Sequence, residues 1–80
     1  MMDIKIHTTE GCFYCDQMKE LCKRAEVEYK TVETPADKLR EMFPNSTGYP
    51  WVIIDGKEIG GLVEAAKFFL KEGLVSANKR

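Results

Sequence analysis

Along the 80-residue chain the spacing of apolar side chains changes period several times, and each change marks an element. From Asp3 to His7 polar and apolar residues alternate, with Ile4 and Ile6 on one face, which predicts a first strand. Thr8 to Gly11 reads as a loop. From Cys12 onward, Tyr14, Met18, Leu21, Cys22 and Ala25 fall at helical spacing opposite Asp16, Lys19, Glu20, Lys23 and Arg24. That predicts an amphipathic helix ending near Glu26. Alternation returns over Val27 to Val32 and predicts a second strand, parallel to the first if the helix is its crossover.

Thr34 and Pro35 read as the N-cap and first residue of a short helix that runs to about Phe43 and is stopped by Pro44. After a loop from Asn45 to Gly48, Tyr49 and Pro50 lead into Trp51 to Ile54, an unbroken apolar run that suits a strand buried on both faces. Asp55-Gly56 is the strongest hairpin signal in the chain and turns it into a fourth strand, Lys57 to Ile59. Gly60-Gly61 then gives way to a third helix, Leu62 to Glu72, with Gly73 as its C-terminal cap. Leu74 to Arg80 is expected to fray. The order β-α-β-α-β-β-α demands an α/β fold: a mixed four-stranded sheet, half parallel crossover and half antiparallel hairpin, with helices on both faces.

Eighty residues make one domain, 1–80. At that size only about 60% of the unfolded surface is buried, so nearly every apolar run must serve the core. The net charge is −1, with acids and bases interspersed, so no basic stripe points to nucleic acid and no polybasic patch to a membrane. The start, Met1-Met2-Asp3-Ile4-Lys5, has neither the basic region nor the apolar stretch of a signal peptide, and no run reaches the length of a membrane span. A cytoplasmic monomer is therefore expected, in a compartment where thiols stay reduced and a close cysteine pair is more often catalytic than structural.

Such a pair exists. Cys12-Phe13-Tyr14-Cys15 stands where the first strand hands over to the first helix. Unpaired N–H groups and the positive dipole end favour a thiolate at Cys12, expected as the first helical residue; in such settings a cysteine pKa falls from about 8.5 to between about 3.5 and 7.5. Cys12 is then the nucleophile, and Cys15, one turn further in, the resolving thiol. A zinc half-site and a static disulfide are the competing readings. Zinc needs four ligands, and the chain adds only His7 and Cys22. Cys22 lies two helical turns from Cys15, too far to share one ion or to form a disulfide with it. Cys22 reads as a core residue, and His7 is an improbable base for a thiolate that needs none.

With the C-x-x-C pair after the first strand, Tyr49-Pro50 opening the third and Ile59-Gly60-Gly61 before the last helix, the chain resembles the glutaredoxins of the thioredoxin fold from about Asp3 to Gly73. The resemblance implies a glutathione-dependent thiol–disulfide oxidoreductase acting on protein disulfides and glutathione mixed disulfides. It implies that Pro50 is cis and turns the Tyr49 peptide outward to pair with an extended substrate, that Leu62 and Val63 hold the γ-glutamyl end of glutathione mainly through their backbone, after Gly60-Gly61, whose N–H groups at the helix start are open to an anion, and that Tyr14 lines the glutathione groove. Glutathione is the implied co-substrate, and disulfide-containing proteins, with ribonucleotide reductase as a family-level example, are the implied partners. Three departures stand out: Phe13 where the family often has Pro, and Thr9 and Val63 where it often has Lys and Asp as charged glutathione contacts. Gly48 also replaces the Thr usual before the proline dipeptide. The lost charges favour a redoxin reduced by thioredoxin reductase instead. Phe13 raises a further alternative, a carrier in which two copies share a 2Fe–2S cluster through Cys12 and glutathione.

Overall fold

Ile4 and Ile6 are fully buried where Met18 and Cys22 of the first helix and Ala65 and Phe69 of the last converge on them. Val52 and Ile54 complete this layer from the neighbouring strand, directly opposite Ile6 and Ile4. The structure is a computed structural model and describes residues 2–75. Its elements are β1 (Ile4–Thr8), α1 (Phe13–Ala25), β2 (Lys30–Glu33), α2 (Ala36–Met42), β3 (Trp51–Ile54), β4 (Lys57–Gly60) and α3 (Leu62–Lys71).

The four strands form one sheet in the order β2-β1-β3-β4. β1 and β2 are parallel, as the α1 crossover requires, whereas β1 with β3 and β3 with β4 are antiparallel. Helices α1 and α3 cover the Ile4–Ile6 face. On the other face the ring of Phe43, at the end of α2, meets His7 edge-on at 5.2 Å between centroids. This is the mixed sheet expected from the order of elements and the thioredoxin-like fold that the resemblance implies. Among the described residues no helix is long and apolar enough to cross a membrane.

Several boundaries differ from the sequence reading, each for a local reason. The second strand begins at Lys30 rather than Val27, because the end of α1 claims the preceding residues. Glu26 is left-handed (φ 59°), its N–H meets Lys23 O, and the Val27 N–H turns back to Cys22 O at 3.2 Å. That closes the helix in a Schellman pattern and keeps Val27 out of the ladder. All four residues of β2 are exposed, since it is an edge strand. Thr34 does not cap α2, whose N-cap is Pro35; its hydroxyl is spent elsewhere, as described below. Tyr14, expected on the buried side of α1, is 58% exposed, and the buried face is Cys15, Met18 and Cys22. Helix α3 ends at Lys71, with Gly73 (φ 75°) and Leu74 closing it through bonds to Leu70 O and Phe69 O. Leu74 and Val75, expected to fray, pack against the core. The rest of that expected tail, 76–80, lies outside the described residues.

Candidate functional site

The loop after β1 delivers Cys12 to the N-terminus of α1. Cys12 is extended (φ −91°, ψ 109°) and is the N-cap, not the first helical residue as the spacing had predicted. The correction strengthens the chemistry: Cys12 Sγ itself accepts the backbone N–H of Cys15 at 3.0 Å. An N-cap side chain serves as acceptor for the third helical N–H, a place usually taken by Ser, Thr, Asp or Asn. A sulfur held there also faces the positive end of the helix dipole, so negative charge on it is favoured.

Cys12 and Cys15 are joined as a disulfide, with their Cα atoms 5.2 Å apart. Cys15 is buried and Cys12 less so, which leaves Cys12 as the sulfur that an incoming thiol reaches. Cys22 is fully buried, and burial pushes its thiol up to about 11, so it takes no part. Among the described residues no three His, Cys, Asp or Glu side chains converge to hold a metal ion. The 2Fe–2S alternative would therefore need ligands from outside the chain.

Two hollows border the C-x-x-C turn, one at Tyr14 and one at the cysteines themselves. One, of about 290 Å³, is an apolar groove lined by Tyr14, Tyr49, Pro50, Leu62, Val63 and Glu64. It brings together five of the six residues expected to bind glutathione. The sixth, Gly61, is the N-cap of α3, and its N–H donates to Glu64 Oε1 at 3.0 Å. The preceding Gly60 admits no other residue readily, because at φ 128° an added Cβ would lie 2.9 Å from the Glu64 side chain. The Tyr49–Pro50 peptide is cis. The other hollow, of about 340 Å³, is polar and has Cys12 and Cys15 in its wall, with Thr8, Glu10, Asp16 and Glu33 around it.

Beneath the site lies a polar hub that no local pattern announces. Thr34 is 4% exposed, and its N–H donates to Thr8 O at 2.9 Å. Its hydroxyl donates to Val32 O at 3.1 Å and stands 2.9 Å from His7 Nδ1, while its carbonyl accepts the Tyr49 hydroxyl. With the Thr34 proton directed at Val32, His7 Nδ1 is the donor to Thr34 Oγ1. Burial, reinforced by the Lys5 ammonium, holds His7 below its ordinary value. The hub ties β1, β2 and the Tyr49 wall of the groove together at the end of the sheet that carries the cysteines. His7 is thus tied to Thr34 within the fold. Glu64 was also missed, although a Glu three residues after a helix-capping glycine is a recognisable spacing.

The comparisons agree with this geometry. No family model matches the sequence, and no curated protein matches it significantly. Solved structures do. Glutaredoxin 1 from Francisella tularensis, crystallised with cacodylate, superposes with a TM-score of 0.75 at 21% identity, over 92% of this chain and 98% of that one. A wheat glutaredoxin gives 0.69 at 27% identity, over 88% and 71% of the two chains. A buckwheat glutaredoxin, crystallised with glutathione, gives 0.69 at 25% identity, over 89% and 70%. With its sheet order, its helices on both faces and a C-x-x-C pair at the N-terminus of α1, the chain is a thioredoxin-fold protein. Within that fold it is glutaredoxin-like, with Cys12 and Cys15 at disulfide distance.

Proposed function

We propose that the protein is a glutathione-dependent thiol–disulfide oxidoreductase that reduces protein disulfides and glutathione mixed disulfides. The observation that carries this reading is the N-cap bond from the Cys15 N–H to Cys12 Sγ, because it stabilises the attacking thiolate where a partner can reach it. In the reduced protein the Cys12 thiolate attacks one sulfur of the substrate disulfide, and the other sulfur leaves as a thiolate that takes up a proton. Cys15, as thiolate, then attacks Cys12 Sγ, expels the second substrate thiol and closes the protein disulfide. Two electrons and two protons have passed to the substrate. On a glutathione mixed disulfide, a second glutathione can take the place of Cys15. The groove of Tyr14, Tyr49, Pro50, Leu62 and Val63 is the surface on which the glutathionyl group would lie.

A second reading has support of its own. Phe13, Tyr14 and Val63 are 67%, 58% and 60% exposed, so the rim of the disulfide is apolar, while neither Thr9 nor Val63 can offer glutathione a charge. A protein reductant such as thioredoxin reductase suits that rim. A coupled assay with glutathione and glutathione reductase, beside one with thioredoxin reductase, separates the two. Turnover confined to the second assay would replace the glutathione reading with the redoxin one.

A further inference from the structure

Tyr49 enters the groove from a stretch that gives it little support. Outside helices and strands the backbone of 44–49 makes one hydrogen bond among the described residues, from the Ser46 N–H to Phe43 O at 2.9 Å, and Ser46 Oγ is buried without a partner. The side chain of Tyr49 makes up the deficit, because its hydroxyl donates to the Thr34 carbonyl. Tyr49 meanwhile lines the groove with Tyr14, Pro50, Leu62 and Val63. Tyrosine suits that double task, having a broad apolar body and one polar tip.

The acceptor is itself held fast. Thr34 is buried, its N–H donates to Thr8 O at 2.9 Å, its hydroxyl donates to Val32 O at 3.1 Å, and His7 Nδ1 lies 2.9 Å from the same hydroxyl oxygen. Bonds to β1 and β2 thus fix where the Thr34 carbonyl points, and burial keeps water from competing for it. A groove wall set in place before a ligand arrives spares the ligand the entropy of ordering it.

We infer that Thr34 is a positioning residue for the groove: through its carbonyl it holds Tyr49 as a preformed wall against which the glutathionyl group of a mixed disulfide packs. The inference rests on the glutathione reading proposed above and deepens it, by adding a residue that lies outside the groove lining. The reaction is unchanged, and so is the Cys15 N–H that supports Cys12.

Pre-reduced protein is mixed in single turnover with a glutathionylated peptide and, separately, with bis(2-hydroxyethyl) disulfide, which carries no glutathionyl group. Remaining protein thiols are counted by quenching and mass spectrometry. The ratio of the two second-order rate constants is the readout, since any change in Cys12 nucleophilicity cancels. Tyr49→Phe keeps the ring and should lower the ratio about three- to tenfold, within reach of one lost hydrogen bond. Thr34→Val keeps the carbonyl but loosens it and should lower the ratio only about twofold, although it strips His7 of its acceptor and disturbs the fold more. Thr34→Ser, which keeps the hydroxyl, should match the wild type. In the double variant Thr34→Val should add nothing to Tyr49→Phe, because no phenol is left to hold. A ratio unaltered by Tyr49→Phe, or a Thr34→Val effect as large in the Tyr49→Phe background as alone, overturns the inference and leaves the glutathione reading intact. A wild type that does not favour the glutathionylated peptide, once each rate is divided by that of dithiothreitol with the same disulfide, overturns that reading and this inference with it.

Discussion

The N–H of Cys15 donates to Cys12 Sγ at 3.0 Å, so the two cysteines are coupled through the helix terminus as well as through their disulfide. The bond runs one way, and the roles of the two sulfurs differ accordingly. Cys12→Ser should abolish all activity, because the helix-terminal stabilisation acts on that sulfur alone. Cys15→Ser keeps the N–H and should keep deglutathionylation while losing protein-disulfide reduction. Rates on a glutathionylated peptide and on a protein disulfide check this; equal loss in both variants on the peptide would contradict it.

Cys22 should behave as the opposite kind of thiol. Burial raises it to about 11, so at pH 8 it is neither ionised nor accessible. Reduced native protein should take up two carbamidomethyl groups from iodoacetamide, and the third only in denaturant. Three groups added under native conditions would show that the α1 core opens.

Thr34→Val leaves the buried His7 Nδ1–H without an acceptor. An unsatisfied buried group of this kind costs about 1–3 kcal/mol. For a domain this small, Tm should drop by about 4–8 °C for each kcal/mol. Tyr49→Phe removes a single hydrogen bond to the Thr34 carbonyl and should cost less, about 0.5–1.5 kcal/mol. Thermal unfolding followed by circular dichroism ranks the two, and a larger loss for Tyr49→Phe would put the hub elsewhere.

His7 also sets a pH dependence. Burial, and Lys5 after it, lower its pKa in the folded chain. Below the ordinary value of about 6.5 the unfolded chain binds a proton that the folded chain resists. Its contribution is therefore present above that value and lost as pH falls through the window beneath it. His7→Gln keeps a donor for Thr34 but does not titrate. Urea midpoints at pH 7.5 and pH 5 should separate more in the wild type than in the variant, and identical separations would mean that His7 is freely protonated in the fold.

Val63→Asp and Thr9→Lys restore the charges that resembling proteins often carry, and their effects should be unequal. An Asp at 63, near the start of α3, can make a charge-assisted hydrogen bond to an amine, worth about 1.5–3 kcal/mol when shielded. A Lys at 9 gains an exposed ion pair worth about 0–1 kcal/mol. The KM for glutathione should therefore fall about tenfold further in Val63→Asp than in Thr9→Lys. If the wild type already turns over glutathione as fast as Val63→Asp, the backbone of Leu62 and Val63 suffices.

Much of the fold was legible because its signals are local. Asp55-Gly56 supplies two residues able to take positive φ, and the hairpin is there with φ 52° and 82°. The cysteine pair falls at a change of period from two to 3.6, and the helix begins there. What escaped depends on partners far along the chain or on chemistry that a pattern does not encode. Thr34 read as a cap because its neighbour is Pro35, but its hydroxyl is claimed by His7, 27 residues away. Tyr14 matched the apolar face by spacing, and periodicity does not distinguish an aromatic side chain that is buried from one that lines a groove. Glu33 gained its place beside the cysteines only when β2 was registered against β1.

The open sides of the sheet carry a further consequence. The outer strands β2 and β4 present unpaired backbone groups on which another polypeptide could template itself. Lys30 and Glu33 bracket one, Lys57 and Glu58 stand on the other, and all four are exposed. A chain laying itself along either margin would have to accommodate those ions beside its own side chains. Those charges set a cost on pairing edge to edge with another polypeptide.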